Sequence, residues 1–299
     1  MAVLLVATGF AFVRTESLKL ENSPIQQTRV TKLFSPVCGC ATSRARIAFR
    51  LDKRDVVSAT IIDSSGNDVR RLVTGRPARG LVSLYWNGRD ETGRLVRDGF
   101  YQARVRLDLA EKTYTLPNLI EVDSKRPVVK SVSVRPRVFS PDGDHRADQV
   151  TVRYTLDEPA RGLLYVDGIQ RLVGSRAQPA GKLRWYGQVD GRSLPAGNYH
   201  LVFVAVDPAG NRSRPAPAGT VRIRYLELTP PHLHAKAGGW VSVRVSTDAL
   251  RVSWRLAGRS GTALAPAFRI RAPTTPRHYL LVVSERGHGA GGTVVVTAR

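Results

Sequence analysis

The sequence predicts an all-β protein that consists of several β-sandwich domains in tandem, and three observations support this prediction. Apolar and polar residues alternate with a period of two in RARIAFRL (44–51), FYQARVRLDL (100–109) and YHLVFVAV (199–206), the pattern of half-buried strands. Turn sequences rich in Gly, Asn and Asp, such as DSSGN, DPAGN and GHGAGG, separate such segments. The third observation is an internal duplication.

The duplication is visible in residues that recur at a nearly constant spacing. Phe34-Ser35-Pro36 returns 105 residues later as Phe139-Ser140-Pro141. One copy has about the size of an immunoglobulin-like sandwich, on the order of 100 residues, so we predict tandem immunoglobulin-like domains. Four more landmarks return after 98 or 99 residues, because the second copy has lost a few residues: Trp86 and Trp185, Gly93 and Gly191, Gly99 and Gly197, Tyr101 and Tyr199.

The repeated residues suit structural positions in such a sandwich. A Trp at the end of a strand, as at Trp86 and Trp185, fits a large ring wedged between two sheets. The two glycines of each copy allow positive φ at tight turns. Tyr101 and Tyr199 each lie at the start of a long strand. Sandwich folds often have a tyrosine corner at this position, in which the tyrosine hydroxyl forms a hydrogen bond to the backbone. None of these residues needs to act on a substrate.

The pattern divides the chain into four parts. Residues 1–30 form an N-terminal apolar segment followed by an exposed stalk, residues 31–124 the first immunoglobulin-like domain, and residues 125–226 the second. Residues 227–299 form a divergent third β-domain, because they contain five strand-like segments and a closing Gly-rich hairpin. After residue 30 no segment has a convincing amphipathic-helix pattern.

The first copy carries a motif that resembles a known family. Residues 59–105, which include ATIIDSSGNDVRRLVTG and GLVSLYWNGRDETGRLVRDGFYQARV, resemble the Ig-like repeat of the flagellar hook-capping (FlgD) family, also found in secreted proteases and surface proteins. Asn87 and Arg97 stand where the family usually has Asp and Pro. The resemblance covers residues 45–123 well and residues 148–226 less well. It implies an extracytoplasmic, non-enzymatic module built in tandem.

The first thirteen residues, MAVLLVATGFAFV, are almost entirely apolar. As a helix they would be roughly 20 Å long, shorter than the roughly 30 Å bilayer core, and they lack the basic region of a signal peptide. Three interpretations remain open: a membrane anchor cut short by an assigned start downstream of the true one, a weak signal segment, or a buried first strand. We favour an uncleaved anchor, which places the remainder on the cell surface.

The chain is strongly basic, with 46 Lys and Arg against 24 Asp and Glu and a net charge of +22. This balance favours a polyanionic partner: nucleic acid, an anionic cell-wall polymer or anionic lipid. Alternatively, the arginines simply lie on the solvent-exposed faces of strands, since they are spread along every segment. No helix-turn-helix, zinc-finger spacing or aromatic-rich RNA-binding strand accompanies the charge, so nucleic acid is not the expected partner.

The second FSP segment continues with carboxylates. FSPDGDHRAD (139–148) resembles the FSPNGDG-type opening of many bacterial surface β-domains. Its Asp142, Asp144 and Asp148 have a spacing that can bring oxygens around one Ca²⁺. Alternatively, these side chains cap turn amides, as Asx residues commonly do. No other cofactor is expected.

The first FSP segment continues instead with Cys38-Gly39-Cys40, which holds both cysteines of the chain. Outside the cytoplasm the pair is expected to form a disulfide, and Gly39 permits the sharp bend that this requires. Inside the cytoplasm it would be a reduced pair or half of a metal site. We predict that both loops stabilise the start of a sandwich, the first FSP segment through a covalent bond and the second through polar contacts.

The sequence contains no recognisable catalytic motif. His232-x-His234 could bind a metal, but no third ligand is near in sequence, and GxSxG, P-loop and HExxH motifs are absent. GHGAGG (287–292) is followed by a strand-like segment and therefore indicates a hairpin turn, not a dinucleotide loop. We expect no enzyme activity and no small-molecule substrate.

These observations favour a membrane-anchored or secreted protein that serves as a spacer, an adhesin or a cell-wall-binding module. Its expected partner is an anionic cell-wall polymer or another surface protein, with the membrane contacted through the N-terminal segment. Two alternatives belong to other classes: a basic nucleic-acid-binding protein, and an accessory module of a secreted hydrolase.

Overall fold

The computed structural model describes residues 24–298. Over this range the protein consists of strands and turns without a helix, as the period-two pattern predicted. The described residues therefore include no helix that could span a membrane. The apolar segment for which we predict a membrane anchor, residues 1–13, lies outside the described range.

Domain 1 is a sandwich whose longest strands change partners along their length. Its strands follow the order β1-β3-β5-β7-β2, with β4 paired to β3 and β6 paired to β5. The first half of β3 pairs with β1 and its second half pairs with β5, so β3 contributes to both layers. The strands are β1 (Ile25–Val30), β2 (Leu33–Phe34), β3 (Ala45–Ile62), β4 (Asp68–Trp86), β5 (Gly99–Leu107), β6 (Lys112–Thr115) and β7 (Ile120–Val122).

Domain 2 repeats this arrangement, in the order β11-β10-β15-β16-β9 with β8 and β12 paired to β10. In domain 1 the turn between β3 and β4 spans residues 63–67, whereas the corresponding turn of domain 2, between β10 and β11, spans only residues 167–168. This shorter turn reduces the spacing between the repeated residues that follow it. The strands are β8 (Val129–Arg135), β9 (Val138–Phe139), β10 (Val150–Val166), β11 (Ile169–Val173), β12 (Gln178–Trp185), β13 (Gln188–Val189), β14 (Arg192–Ser193), β15 (Gly197–Val206) and β16 (Ala216–Ile223).

Domain 3 has two sheets, ordered β17-β19-β22 and β18-β24-β23-β20-β21. The predicted Gly-rich hairpin joins β23 to β24 through Arg286 and Gly287, with Glu285 opposite His288. The strands are β17 (Glu227–Leu228), β18 (His232–Lys236), β19 (Trp240–Ser246), β20 (Arg251–Leu256), β21 (Arg259–Leu264), β22 (Ala267–Arg271), β23 (His278–Glu285) and β24 (His288–Thr297).

Each domain has its own hydrophobic core. The buried apolar residues form three separate clusters, which lie within residues 25–122, 134–225 and 226–296. Each cluster is assembled from the inward-facing residues of alternating strands, because successive side chains of a strand point to opposite faces. The three domains are therefore separate packing units.

Domain 1 begins earlier than the sequence indicates. Residues 25–30 fall in the predicted stalk, but the structure places them in β1, which pairs with β3 from Ile25 opposite Leu51 to Val30 opposite Ile47. Ile25 is only 1% exposed. The signal is weak in the sequence because β1 is an edge strand, in which Ile25 alone is fully buried.

Three of the four repeat glycines have positive φ, as predicted from the turns around them. The angles are 83° at Gly93, 147° at Gly99 and 76° at Gly191. Gly197 does not share this conformation, so the prediction of a positive φ is wrong there. It lies within strand β15 and pairs opposite Ile223, an arrangement that does not require glycine.

Candidate functional site: the FSP loops at the domain joints

The two FSP sequences start from equivalent places in the cores of domains 1 and 2. We call residues 34–40 the first FSP loop and residues 139–148 the second FSP loop. The ring centroids of Phe34 and Trp86 lie 5.6 Å apart, and so do those of Phe139 and Trp185. The two-residue strands β2 and β9 pair in parallel with β7 and β16. Each loop therefore leaves its sandwich at the same point.

A glycine two residues after each of these tryptophans makes room for the proline of the FSP loop. A Cβ atom on Gly88 would lie 2.8 Å from Cβ of Pro36, and one on Gly187 would lie 2.9 Å from Cγ of Pro141. Real Cβ atoms do not approach so closely, so a side chain at either glycine would displace the loop. The Trp-x-Gly and Phe-Ser-Pro sequences thus recur together because their residues pack against each other in each domain.

A tyrosine corner occurs in all three domains, including domain 3, where the sequence shows none of the repeat landmarks. In each case the hydroxyl donates to the carbonyl oxygen four residues earlier. This hydrogen bond fixes the entry into β5, β15 and β23, so these tyrosines have a structural role. The pairs are Tyr101 with Arg97 (2.8 Å), Tyr199 with Pro195 (2.8 Å) and Tyr279 with Thr275 (3.0 Å).

The first FSP loop is closed by a bond between Cys38 and Cys40, whose sulfur atoms are 2.06 Å apart. Gly39 between them has a φ of 63°. Cys40 also lies against domain 2, because a Cβ atom on Gly210 would be 2.8 Å from its sulfur. The loop therefore forms part of the surface on which domain 2 rests.

Asn211 stabilises the contact between domains 1 and 2, which we call joint 1–2. It lies in the turn between β15 and β16 of domain 2 and is 1% exposed. Ser35 Oγ donates to Asn211 Oδ1 at 2.5 Å, and Asn211 Nδ2 donates to the carbonyl oxygen of Asp123 at 3.0 Å. Asp207 holds Asn211 in place, since its Oδ2 accepts from Asn211 Nδ2 at 2.9 Å. The joint is thus a buried hydrogen-bonded contact between two domains.

Replacing both cysteines with serine is expected to lower the free energy of unfolding of domain 1 by on the order of 1.6 kcal/mol, the chain-entropy value for a three-residue loop. Thermal unfolding of the Cys38→Ser/Cys40→Ser variant and of the reduced wild type would measure this loss. Reductant should leave the double variant unchanged. Alkylation of both thiols in the denatured, unreduced wild type would contradict a disulfide.

The second FSP loop brings the three predicted carboxylates together. One oxygen of each of Asp142, Asp144 and Asp148 lies within 4.8 Å of the others. The same side chains also cap backbone amides, as the alternative interpretation predicted. Asp148 accepts from the amides of Gly143 at 2.8 Å and His145 at 2.7 Å. Capping and proximity are compatible, because each carboxylate has two oxygens and about four lone-pair sites.

Domain 3 approaches the second FSP loop much as domain 2 approaches the first. The turn between β23 and β24 corresponds to the Asn211 turn, because both follow the strand that a tyrosine corner opens. Arg286 in this turn donates to the carbonyl oxygen of Gly143 at 3.4 Å. Beside it, the rings of His288 and Tyr225 stack with centroids 3.7 Å apart. We call this contact joint 2–3.

His232 and His234 lie on β18 on either side of buried Leu233, so both face solvent. They line a groove of about 850 Å³ together with Ser242 and Arg244 of β19. Among the described residues, they are not part of any cluster of three metal-ligating side chains. The histidine pair therefore lines a groove in which Arg244 is the charged residue.

A basic face extends along the sheet β17-β19-β22. Exposed Trp240 lies opposite Arg271 in the ladder, and the guanidinium carbon of Arg271 sits 4.1 Å from the centre of the Trp240 ring. Arg244 and Arg269 project from the same two strands as exposed residues. This face and the histidine groove together present positive charge around a planar aromatic side chain.

Residues 39–110, which lie within domain 1, match the model of the FlgD Ig-like domain. Among solved structures, the I67–I69 fragment of titin is similar at 10% identity, covering 93% of this chain and 99% of that one, with a TM-score of 0.33. A 1.5-MDa bacterial ice-binding adhesin is similar at 12% identity over 92% and 98% of the chains, TM-score 0.27.

Bacteroides ovatus SGBP-B, solved with a mixed-linkage heptasaccharide, is similar at 14% identity over 91% of this chain and 71% of that chain, with a TM-score of 0.24. No curated protein sequence matches the chain. The family match therefore bears on domain 1 alone, where residues 39–110 have the sequence pattern of an FlgD Ig-like domain.

Proposed function

We propose that this chain, whose first domain is an FlgD Ig-like domain, is a non-enzymatic extracytoplasmic protein that binds an anionic cell-wall polymer through domain 3. Domains 1 and 2 serve as the spacer that holds domain 3 away from an N-terminal membrane anchor. The observation that carries this proposal is the separation of charges in domain 3.

The acidic residues of domain 3 are all at its boundary with domain 2. Residues 227–299 contain ten basic residues against three acidic ones, a net charge of +7. Glu227 forms an ion pair with Arg222, and burial, together with the negative charges of the second FSP loop, raises the pKa of Asp248 and that of Glu285. Every other charged side chain of domain 3 is basic. A surface of one sign attracts a polymer of the opposite sign.

The basic face also has a suitable form for a chain-like ligand. A groove of about 850 Å³ runs beside Arg244, and Trp240 with Arg271 above it offers a flat, rigid platform. Arginine forks bind phosphate bidentately, and aromatic rings pack against the apolar faces of sugars or alditols. A phosphate-bearing wall polymer has both kinds of group.

The spacer part of the proposal is supported by the joints. A short linker alone would allow free motion between domains, which is the default expectation for a small interface. In joint 1–2, however, the buried Asn211 bonds to both Ser35 and Asp123 of domain 1. Such a contact restricts the angle between neighbouring domains.

The location is tested on intact cells with a C-terminal tag. If external protease removes the tag while the remaining fragment stays in the membrane fraction, the surface location and the anchor are supported. A tag that is protected from protease in a soluble fraction would overturn the proposal and favour a cytoplasmic polyanion.

Polymer binding is tested with a pair of substitutions that removes two positive charges. We expect Arg244→Gln/Arg269→Gln to bind a glycerol-phosphate polymer about tenfold more weakly, which corresponds to about 1.4 kcal/mol for two surface charge pairs. Surface plasmon resonance at several salt concentrations measures this, and the dependence on salt should become less steep.

The matched control is Arg76→Gln/Arg79→Gln, which removes the same charge from exposed positions of β4 in domain 1. This control should bind like the wild type. Equal weakening by both double variants would show that only net charge matters and would contradict a site on domain 3. Tighter binding to double-stranded DNA than to the polymer at about 150 mM salt would favour the nucleic-acid alternative.

A further inference from the structure

Strand β12 of domain 2 and strand β22 of domain 3 have the same short sequence pattern. PAGKLR (179–184) and PAFRIR (266–271) both begin with Pro-Ala and, after one variable position, continue with a basic residue, an aliphatic residue and an arginine. The two strands also occupy the same place in their sandwiches. β12 pairs with β10, which pairs with β8, and β22 pairs with β19, which pairs with β17. The pattern therefore recurs at equivalent positions of the two domains.

The register extends this equivalence to individual side chains. Lys182 and Arg184 project from the outer face of β12, where Arg153 of β10 lies opposite Lys182. In domain 3 the corresponding residues are Arg269 and Arg271, which belong to the basic face of that domain. All of these basic side chains are exposed. Domain 2 thus repeats part of the surface to which the proposed function assigns polymer binding in domain 3.

The outer face of the sheet β8-β10-β12 is here called the second basic face. Successive residues of a strand point to opposite faces, so every second residue of each strand belongs to it. The register arranges these residues in three rows across the sheet, with four basic side chains, four hydroxyl side chains, one alanine and no carboxylate. The rows are Arg135, Thr151 and Arg184; Ser133, Arg153 and Lys182; and Ser131, Thr155 and Ala180.

The basic side chains of this face are not neutralised from within the protein. None of their cationic groups has an ion-pair or hydrogen-bond partner among residues 24–298. The other layer of domain 1 differs, because its Arg104 pairs with Asp68 at 2.8 Å. Asp157, the carboxylate that follows this part of β10, already accepts from the amide of Val128 at 2.7 Å. An external anion can therefore pair with these cations without displacing an internal partner.

Domain 1 shows that the fold does not require basic residues at these positions. At the places of the basic pair of β12, counted back from the core tryptophan, domain 1 has Ser83 and Tyr85. Arg46 donates to Ser83 Oγ at 3.0 Å, so this part of the face is occupied by a contact within the domain. The basic pair is therefore not part of the structural repeat, and its presence in domains 2 and 3 has another reason.

We propose that the second basic face binds the same class of ligand as domain 3, a polymer that carries phosphate groups. The class of ligand rests on the proposed function, whereas the face itself rests on the register and on the unpaired cations. Neighbouring strands lie about 4.8 Å apart, and outward residues of one strand follow at about 6.7 Å, so cations occur at short, regular intervals. Arginine binds phosphate oxygens as a fork, and Ser and Thr hydroxyls donate to the same oxygens. A linear chain of phosphates matches such a surface.

A groove beside β12 continues the second basic face. Its volume is about 350 Å³, and it is lined by Lys182, Leu183 and Arg184 together with residues 172–175. In domain 3 the groove of about 850 Å³ likewise lies beside a basic residue of the sheet, Arg244. Both domains thus combine a basic sheet with a groove along which a chain-like ligand can lie.

Two such faces on one chain make binding bivalent. Once one stretch of polymer is bound to domain 3, a second stretch meets domain 2 at a high effective concentration, because the two domains are in contact at joint 2–3. Domain 2 is then both part of the spacer and a binding domain. Loss of either face should weaken the binding of a long polymer.

The test removes the basic pair of β12 from the full-length protein, alone and within the domain 3 variant Arg244→Gln/Arg269→Gln. We expect Lys182→Gln/Arg184→Gln to bind an immobilised glycerol-phosphate polymer about tenfold more weakly than the wild type. Within the domain 3 variant the same pair should weaken binding by about tenfold again, because the two faces share no residue and their contributions should add. Surface plasmon resonance at about 150 mM salt measures both losses.

The matched control is Arg192→Gln/Arg214→Gln, which removes the same charge from exposed positions of domain 2 outside the sheet β8-β10-β12. It should bind like the wild type. If the β12 variant fails to fold, judged by its melting temperature, Arg135→Gln/Arg153→Gln on β8 and β10 decides the test, with the same expected loss.

The outcomes separate the second basic face from the proposed function. If the domain 3 variant loses affinity and the β12 variant does not, the second basic face is overturned and the proposed function stands. A wild type that does not bind the polymer would overturn both. Equal losses in the β12 variant and its control would show an effect of net charge alone and would overturn the second basic face. A loss seen with double-stranded DNA and not with the polymer would overturn the ligand class in favour of nucleic acid.

Discussion

Replacing Trp86 with alanine is expected to lower the free energy of unfolding of domain 1 by about 3–5 kcal/mol, the usual cost of truncating a large buried aromatic side chain. Trp86 is 1% exposed. Its ring lies edge-on to Phe34 and Tyr101, with centroids 5.6 and 5.0 Å away, and its Nε1 donates to the carbonyl oxygen of Arg89 at 2.9 Å. The substitution removes the core contact from which the first FSP loop starts.

Scanning calorimetry of the full-length chain measures this effect as a shift of one unfolding transition. A loss of about 3 kcal/mol in a domain of this size corresponds to at least about 12 °C. The matched control is Tyr85→Ala, since Tyr85 precedes Trp86 on β4 but is 60% exposed. It should cost within about 0.5 kcal/mol. Equal shifts in the two variants would show that Trp86 is not the centre of the core.

The strands and their faces could be predicted from the sequence because they depend on local patterns. Ala45, Ile47, Phe49 and Leu51 alternate with polar or charged residues over most of this segment, and all four are buried in the core of domain 1. The tandem immunoglobulin-like fold followed from the duplication, and it was confirmed by the family match within domain 1 together with the repeated strand arrangement in domain 2. Strands and turns each involve only a short stretch of chain, so the periodicity and the turn residues of that stretch are enough to predict them.

The domain joints could not be predicted, because they depend on contacts between distant residues. DPAGN (207–211) was recognised as a turn, but its Asn211 bonds to Ser35, 176 residues away. Arg286, which donates to the carbonyl oxygen of Gly143, has no motif around it that would relate it to the second FSP loop. The loss of the NGRD turn in the second copy was visible in the sequence. Its consequence was not: Trp185 Nε1 is buried without a partner among residues 24–298.

The structure gives a common interpretation of the two FSP loops. Each loop starts at an aromatic core contact and ends against the following domain, at the turn after its tyrosine-corner strand. Joint 1–2 uses neutral hydrogen bonds beside a disulfide, whereas joint 2–3 uses a hydrogen bond from Arg286 to the carbonyl oxygen of Gly143, in a loop that carries three carboxylates. Because the two copies have the same core but different loops, we infer that the duplication kept the fold and changed the way in which neighbouring domains are held.

Replacing Asn211 with alanine is expected to destabilise domain 1 even though Asn211 belongs to domain 2. The substitution leaves Ser35 Oγ and the carbonyl oxygen of Asp123 without their present partner. A buried polar group that loses its partner costs about 1–3 kcal/mol. The amide of residue 211 still donates to Asp207 Oδ1 in the alanine variant, so the turn itself should persist. We expect a total loss of about 2–3 kcal/mol, expressed at joint 1–2.

A double-mutant cycle with Ser35→Ala isolates the contact between the domains. If Ser35 and Asn211 interact as the structure describes, the two single effects should not add, and the coupling should lie between about 0.5 and 3 kcal/mol. Asn198→Ala is the control, because Asn198 is an exposed residue of β15 in the same domain. Additive effects, or an Asn211→Ala variant that behaves like Asn198→Ala, would mean that joint 1–2 does not couple the domains. The spacer would then bend freely at its first joint.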